Sequence, residues 1–466
     1  MRDHGDRRAT HPFEFFPKGT TLALLALGLA LLALYHFGLL LQGGTRGIAW
    51  FIKLAFAQGA LYAAAAWIVW RARESGQTLA LVVVFAALFR LSVLFVPPLL
   101  SDDIYRYVWD GRVQATGINP YRYIPADPAL AHLRDEAIYP RINRRDYAPT
   151  IYPPVAQMIF FLVTRVSESV TWMKLVMVAF EAVGLWAIAE LLASFGLPRQ
   201  RVLLAAWHPL LVWEIASSGH LDALLVCFVA LALLARRRER DGWAGFLLAC
   251  AALVKFFPLV LFPALYRRWN WRMPLALSAT VALAYVPYLT VGWRKALGFL
   301  SGYAAEEGLQ SGARFFILSL AQKLFGEQNV PGAAYKVFAL LVLAVLGIWS
   351  LWGPMRDPRD FVRRAFALAA AFTVLLSPHY GWYFVWVVPF LCFATRLTLA
   401  PAVCLTVAAF MLYGTWLGDK PADMLVWNSS MYLPSAALAV LVWLEYRFRR
   451  GDYSNPTQCN SDRSRK

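Results

Sequence analysis

The sequence predicts an all-α fold, a polytopic transmembrane bundle of about 12–14 membrane helices with two long outer loops. Three observations support this prediction. The chain of 466 residues is 59% hydrophobic and only 16% charged, whereas a soluble domain is about a quarter charged. Apolar runs of about 20 residues, the length that crosses a bilayer, recur along the chain. Short basic clusters separate many of these runs, which is typical of cytoplasmic loops.

The first three apolar runs lie near residues 20–42, 48–70 and 79–100. They predict three crossings that start from a cytoplasmic tail, residues 1–20, and leave the polar loop 101–152 on the outer side. The next run, Pro153 to Val163, covers only about half a bilayer. It predicts a short interfacial helix, which its prolines are suited to open.

Later apolar runs carry the chain to the second long outer loop, 293–334, and back to a cytoplasmic C-terminus. They lie near 170–194, 202–215, 220–235, 243–254, 257–267, 273–292, 335–353, 363–377, 382–395, 398–417 and 431–446. The membrane domain therefore spans 21–446, and the polar residues 447–466 predict a disordered cytoplasmic tail. Arg90, inside the third run, needs a buried partner, and Glu181 is a candidate.

Charge and composition exclude several other classes. The formal charge of +17 comes from arginines in short loops between apolar runs, so no nucleic-acid partner is predicted. The five cysteines show neither metal-ligand spacing nor a disulfide framework. The sequence has no glycine-rich phosphate loop, so a nucleotide-sugar donor is not expected. No cofactor is predicted with certainty, and a divalent metal is left open.

Two adjacent carboxylates directly follow the third apolar run, at the predicted outer surface. Ser101 is suited to cap a helix from Asp102, on which Asp103, Arg106 and Asp110 share a face through i+3 and i+4 spacing. We expect Arg106 to hold Asp103 ionised and oriented. Charges so close to hydrocarbon are more often functional than incidental. The alternative is a solvated helix with an internal ion pair.

The segment from Tyr105 to Arg112, the Asn119-Pro120-Tyr121 turn and Tyr152-Pro153-Pro154 together resemble the first outer loop of the GT-C glycosyltransferases. Within that superfamily the chain is most similar to bacterial glycosyltransferase family 87 and the polyprenol-phosphomannose-dependent mannosyltransferases. The resemblance covers most of the chain after the second apolar run. It implies a loop aspartate as catalytic base, at Asp103 or Asp102, and a donor sugar carried on polyprenyl phosphate.

Such a transfer needs a base for the acceptor hydroxyl and cations for the phosphate. The cationic candidates are Arg106, Arg112, Lys255 and Arg314. The other predicted substrate-binding residues are Asp110, Tyr152, His220, Asp222, His379 and Tyr380. A structural role stays open for each of these candidates. The alternatives are ion pairs among the charged residues of the predicted helix, snorkelling of Lys255 to the interface, a buried structural role for His220, and anchoring of the chain at the interface by the aromatic turn with His379 and Tyr380. No metal ligand is assigned.

The sequence therefore predicts a multi-pass glycosyltransferase of the inner (plasma) membrane. It would move a hexose such as mannose from a polyprenyl-phosphate-linked donor to a cell-envelope glycan or lipid acceptor on the periplasmic face. The predicted partners are this donor, the glycan or glycolipid acceptor and membrane lipids. The alternative is a transporter or flippase of a lipid-linked sugar, although we find no internal repeat of the kind typical of transporters. A structural subunit of an envelope-assembly complex is a third interpretation.

Overall fold

The computed structural model describes residues 17–40, 45–309, 312, 315–417 and 424–452 of the chain. All regular structure within these ranges is helical. The α-helices are Pro17–Leu39, Thr45–Arg71, Gly76–Leu94, Asp103–Ala115, Pro154–Val166, Val170–Ser194, Leu203–Ala206, Pro209–Leu211, Asp222–Arg237, Asp241–Ala252, Phe262–Leu265, Arg272–Tyr285, Trp293–Ala296, Leu300–Glu306, Phe316–Phe325, Gly332–Trp352, Asp360–Leu376, Leu399–Ala408 and Met424–Asp452. The 3₁₀ segments are Pro128–Leu133, Tyr139–Arg141, Arg199–Val202, Phe257–Leu261, Val286–Val291, Glu327–Asn329, Gly381–Phe393 and Ala409–Trp416, and Val212–Ser217 is π-helical.

Eight helices in the described ranges are long and apolar enough to cross a membrane. They are Gly19–Leu39, Gly47–Arg71, Gly76–Leu94, Val170–Ser194, Arg272–Val291, Gly332–Trp352, Leu399–Trp416 and Met424–Arg447. Shorter apolar helices are Pro154–Val166, Asp241–Ala252, Phe316–Phe325 and Gly381–Phe393. The predicted all-α polytopic bundle is therefore confirmed. That about 12–14 helices cross the membrane stays a prediction, because it requires several of the shorter helices to cross as well.

The described residues include only a small part of the two predicted tails. The last helix continues to Asp452, beyond the predicted boundary at 446. Residues 1–16 and 453–466, which hold most of both tails, lie outside the described residues. The helix predicted from Asp102 in loop 101–152 is present as Asp103–Ala115. Loop 293–334 contains the helices Trp293–Ala296, Leu300–Glu306 and Phe316–Phe325, which were not predicted.

A buried ion pair joins two of the spans next to the first outer loop. Arg90 donates to both carboxylate oxygens of Glu181, at 2.7 and 2.5 Å, which confirms the predicted partner. Its Nη1 also donates to the carbonyl of Ala206 at 2.8 Å. Breaking a buried pair of this kind costs about 3–5 kcal/mol. The span that leads to the two aspartates is therefore held firmly against Val170–Ser194.

Two short helices in contact lie between the third span and Val170–Ser194, namely Asp103–Ala115 (the aspartate helix) and Pro154–Val166 (the proline helix). A Cβ added at Gly111 would lie 2.5 Å from the carbonyl oxygen of Phe160, so only glycine permits this approach. Tyr107 stacks on the ring of Phe160, with centroids 4.6 Å apart. The short helix predicted after Tyr152 is therefore present, and it packs directly against the aspartate helix.

Candidate active site

A cavity of about 760 Å³ opens beside the N-terminus of the aspartate helix. This volume is typical of sites for small ligands. Its wall combines residues 99–103, residues 254–257, the helix Leu300–Glu306 with the residues after it, and the turn 376–383. Asp102, Asp103 and Lys255 all lie on this wall, so the structure places both candidate bases and one candidate phosphate ligand around a single cavity.

Asp103 is the first residue of the aspartate helix, so the helix begins one residue later than predicted. The Ser101 hydroxyl accepts a hydrogen bond from the Asp103 N–H at 3.2 Å, close to its predicted capping role. The prediction that Arg106 holds Asp103 is wrong, because the guanidinium of Arg106 donates to Asp110 instead. Asp103 is oriented by Asn143, whose Nδ2 donates to Oδ1 at 2.5 Å.

The neighbouring Asp102 is more exposed and has a different electrostatic environment. Partial burial raises the pKa of Asp102, the nearby charge of Arg141 opposes this increase, and Asp103 adds to it. A carboxylate whose pKa is raised is better matched to accepting a proton near neutral pH. Each aspartate thus has an arginine within electrostatic reach, Arg144 for Asp103 and Arg141 for Asp102, and Asp103 is also held by the amide of Asn143.

Lys255 extends into the cavity from the turn before Phe257–Leu261. Its ammonium donates to both carboxylate oxygens of Asp222, at 2.8 and 2.7 Å, and lies 4.7 Å from the ring centre of Tyr383. The side chain of Asp222 is 0% exposed, whereas that of Lys255 is 14% exposed. Asp222 therefore holds the lysine from behind, and the lysine is the member of the pair that a ligand in the cavity can reach.

His220 lies behind an aromatic part of the wall. Its ring stacks on Trp382 with centroids 4.5 Å apart, and Trp382 stacks on Tyr380 at 4.2 Å. Its Nε2 lies 3.4 Å from Oε2 of Glu214, whose other oxygen accepts the hydroxyl hydrogen of Tyr413. Tyr380 and Trp382 line the cavity, so His220 supports this wall from the buried side.

The turn before His220 is shaped by Gly219. Gly219 has a φ of +75°, a conformation that other residues adopt only with strain. A Cβ at this position would lie 2.2 Å from Cδ1 of Ile104 on the aspartate helix. The glycine therefore permits the turn that carries His220 and Asp222 to pack closely against the helix that carries Asp103.

The remaining predicted residues fall into three groups. Tyr152, His379 and Tyr380 line the cavity, and Nδ1 of His379 lies 3.3 Å from Oε2 of Glu307, which also lines it. Arg314 lies outside the described residues. Arg106, Asp110 and Arg112 are not among the described residues that line the cavity, and they contact protein groups.

Those three charged side chains join the loop 101–152 to the residues that follow it. Nε of Arg106 donates to Asp110 at 2.7 Å, and Asp110 also accepts from Nε2 of Gln157 on the proline helix at 2.9 Å. Arg112 donates to Glu168 at 2.8 Å and to Asp135 at 2.7 Å. These contacts favour the alternative interpretation, in which the three side chains form ion pairs within the protein and do not bind substrate.

Asn143 and Arg144 are two polar residues of the wall that sequence reasoning did not name. Nε of Arg144 donates to Glu306 at 2.7 Å, and its guanidinium lies 5.5 Å from the ring centre of Tyr303. Its φ of +54° is uncommon for an arginine and marks a strained turn at the cavity. The signal was the excess of arginines in loop 101–152, which runs against the positive-inside rule.

The described side chains of the wall provide both carboxylates and cations. No group of three or more His, Cys, Asp or Glu side chains in these ranges is arranged to hold a metal ion. The arrangement suits proton removal by a carboxylate opposite a cationic contact for an anion.

Comparison with known proteins gives a consistent picture. Residues 21–271 match the family described as alpha-(1->6)-mannopyranosyltransferase, N-terminal domain, a segment that includes Asp103, Asp222 and Lys255. A probable alpha-(1->6)-mannopyranosyltransferase of Mycolicibacterium smegmatis is 23% identical over 420 residues, which cover 78% of this chain and 74% of that protein. An alpha-(1->6)-mannopyranosyltransferase of Mycobacterium tuberculosis is 24% identical over 441 residues, covering 77% and 72%.

Proposed function

The chain belongs to the alpha-(1->6)-mannopyranosyltransferase family, and we propose that it transfers mannose from a polyprenyl-phosphate-linked donor to a hydroxyl of a cell-envelope glycan or glycolipid. Membership agrees with the resemblance to GT-C mannosyltransferases carried by the aspartate motif. The observation that carries the proposal is the cavity wall, which presents Asp102 and Asp103 together with Lys255 and Arg144.

In the proposed reaction, an acceptor hydroxyl oxygen attacks the anomeric carbon of the donor sugar. The bond between this carbon and the phosphate oxygen breaks, and polyprenyl phosphate leaves with the electron pair. The carboxylate of Asp103 or Asp102 takes the hydroxyl proton, as a general base. The transferred sugar is thereby joined to the acceptor through the attacking oxygen.

Negative charge grows on the phosphate as it leaves, so cations placed beside it stabilise the transition state. Lys255 and Arg144 are the cationic side chains proposed for this contact. Arg144 offers a planar guanidinium suited to two phosphate oxygens, and Lys255 offers a compact charge. Both have carboxylate partners, Glu306 and Asp222, which hold them in place before the donor arrives.

An apolar part of the wall is suited to the lipid part of the donor. Leu99 and Leu100 precede the aspartates, and Val254, Phe256 and Phe257 flank Lys255. Apolar side chains next to a cation match a prenyl chain attached to a phosphate, since burying each CH₂ group contributes about 0.8 kcal/mol. We propose that the prenyl chain enters along this side, with its phosphate at Lys255.

The cavity is proposed to face the outer, periplasmic side of the inner membrane. This orientation rests on the basic clusters between apolar runs, which place the N-terminal tail in the cytoplasm and the aspartates on the other face after three crossings. A lipid-linked donor suits that side, because the prenyl chain keeps the sugar at the membrane.

The proposal is tested with purified protein in vesicles, a polyprenyl-phosphate mannose donor and a mannose oligosaccharide acceptor with a free 6-hydroxyl. The variants are Asp103→Asn, Asp102→Asn and the double variant. Loss of the base should lower turnover by about 10²–10⁴-fold, while the protein still inserts and unfolds cooperatively. Asp146→Asn is the matched control, because this carboxylate lies on the same loop and is 73% exposed.

Near-normal transfer by the double variant would exclude these carboxylates as the base. Absence of transfer by the unchanged protein, together with donor movement across the bilayer, would favour the flippase interpretation. Transfer of glucose in preference to mannose would change the donor sugar but keep the catalytic assignment.

A further inference from the structure

One carboxylate of the cavity wall takes no part in the reaction proposed above. Glu307 follows the helix Leu300–Glu306 and lines the cavity, although its side chain is only 11% exposed. Its Oε2 lies 3.3 Å from Nδ1 of His379, which also lines the cavity. Glutamate side chains are rarely buried to this extent without a partner, and here the imidazole of His379 holds the carboxylate in place at the cavity.

Two tyrosine hydroxyl groups connect this carboxylate with the candidate base. The hydroxyls of Tyr303 and Tyr383 are hydrogen-bonded to each other. Asp103 and Glu307 both lie close enough to these hydroxyls to interact with them electrostatically. The ammonium of Lys255 lies 4.7 Å from the ring centre of Tyr383. The tyrosine pair therefore has Asp103, Glu307 and Lys255 as neighbours, and all of these side chains line the same cavity.

A stack of aromatic rings continues the wall next to His379. Trp382 has the ring of Tyr380 at 4.2 Å and the ring of His220 at 4.5 Å, measured between centroids. Trp382 is 8% exposed, whereas Tyr380 is half-buried, and both line the cavity. Tyr380 is therefore the more exposed of the two cavity rings, and the rings stacked behind it fix its orientation.

A carboxylate close to an aromatic ring is suited to binding a sugar. Its two oxygens accept hydrogen bonds from hydroxyl groups, and the C–H groups of a sugar pack on the electron-rich face of a ring. We propose that Glu307 binds hydroxyl groups of the acceptor sugar and that Tyr380 packs against the ring of that sugar. His379 holds the carboxylate in the orientation that this contact needs.

The acceptor suits this part of the wall better than the donor does. The leaving phosphate is negatively charged, so a carboxylate beside it would raise the energy of the transition state. Lys255 and Arg144 supply the positive charge that suits the phosphate. A neutral glycan is not repelled by Glu307, and its attacking hydroxyl must lie beside the base. The interaction of Glu307 and Asp103 with one pair of tyrosine hydroxyls meets that requirement.

This inference rests on the proposed mannosyl transfer, so its test measures binding and turnover separately. The full chain is reconstituted in nanodiscs, and saturation-transfer NMR follows binding of a mannose oligosaccharide with a free 6-hydroxyl in the absence of donor. Steady-state kinetics with a polyprenyl-phosphate mannose donor give the KM values for donor and acceptor. Glu307→Gln should weaken oligosaccharide binding and raise the KM for the acceptor roughly tenfold or more, the loss of about one charge-assisted contact. The KM for the donor should not change.

The ring of Tyr380 is tested by two substitutions. Tyr380→Leu removes the aromatic face and should weaken oligosaccharide binding by roughly 2–10-fold. Tyr380→Phe keeps the ring and should bind as the unchanged protein does. If the loss of the ring prevents folding, Glu307→Gln still tests the subsite, because glutamine keeps the shape of the side chain.

Glu327→Gln is the matched control, because this exposed glutamate belongs to the predicted second outer loop, 293–334, and is not among the described residues that line the cavity. Equal binding by Glu307→Gln and this control, or no binding by either, would overturn the subsite whether or not transfer occurs. A rise in the donor KM alone, or a fall in kcat with an unchanged acceptor KM, would overturn the assignment to the acceptor. Weakened binding by Glu307→Gln without any transfer by the unchanged protein would support the sugar subsite and overturn the proposed reaction.

Discussion

Removing the ammonium of Lys255 should separate its structural role from its proposed role in binding the donor. In Lys255→Met, Asp222 loses both hydrogen bonds from the ammonium and remains as a fully buried carboxylate. Removing one member of a buried ion pair lowers the free energy of unfolding by about 3–5 kcal/mol. Replacing both charges leaves no such carboxylate, so Lys255→Met/Asp222→Asn should recover most of that stability.

Activity should behave differently from stability. If Lys255 binds the leaving phosphate, both the single and the double variant lack a charge-assisted contact worth roughly 1.5–3 kcal/mol. This corresponds to a decrease of about 10–150-fold in kcat/KM for the donor. The KM for the acceptor should change little, because the lysine lies at the proposed phosphate position.

The assay combines thermal unfolding in detergent with steady-state kinetics at varied donor and acceptor concentrations. Lys323→Met is the control, because this exposed lysine belongs to the predicted second outer loop, 293–334, and is not among the described residues that line the cavity. A double variant that is stable and uses the donor as well as the unchanged protein would refute the reasoning. In that case the lysine would serve only to neutralise Asp222.

Three further predictions concern the base, the fold and the orientation. Replacing Arg141 by Gln removes a charge that lowers the pKa of Asp102. If Asp102 is the base, the acidic limb of the pH profile of kcat/KM should therefore move to higher pH. An acidic limb that does not move assigns the role of base to Asp103. Gly219→Ala should destabilise the protein by about 1–2 kcal/mol in thermal unfolding because of its φ of +75°, whereas Gly242→Ala, with no atom near the added Cβ, should not. A cysteine at exposed Ala129 should react with an impermeant reagent in intact spheroplasts, and labelling only after lysis would reverse the orientation.

The fold class was predictable because hydropathy reports membrane spans directly, and the Arg90–Glu181 pair was predictable because a buried charge needs a partner. The conformation of individual segments was less predictable. Residues 381–393 are apolar enough for a crossing, but they form a 3₁₀ helix with Pro389 inside it. Hydropathy does not distinguish helix types, and the tighter helix rises about 2.0 Å per residue instead of 1.5 Å. A shorter apolar stretch can therefore reach as far as a longer α-helix.

The partners of the site residues depend on packing that sequence spacing does not encode. Both i+3 and i+4 pairs are allowed on a helix, so Arg106 had two carboxylates within reach. It pairs with Asp110 because Gln157 binds the second oxygen of that carboxylate and completes a buried network. Asp103 is then left to Asn143, which lies 40 residues further along the chain. The amide fixes the orientation of this carboxylate through one hydrogen bond, and the charge of Arg144, another residue of the cavity wall, lies close enough to interact with it. The side chain of Asp103 therefore stays at the cavity, whereas the ion pair that spacing alone predicted would have joined it to its own helix.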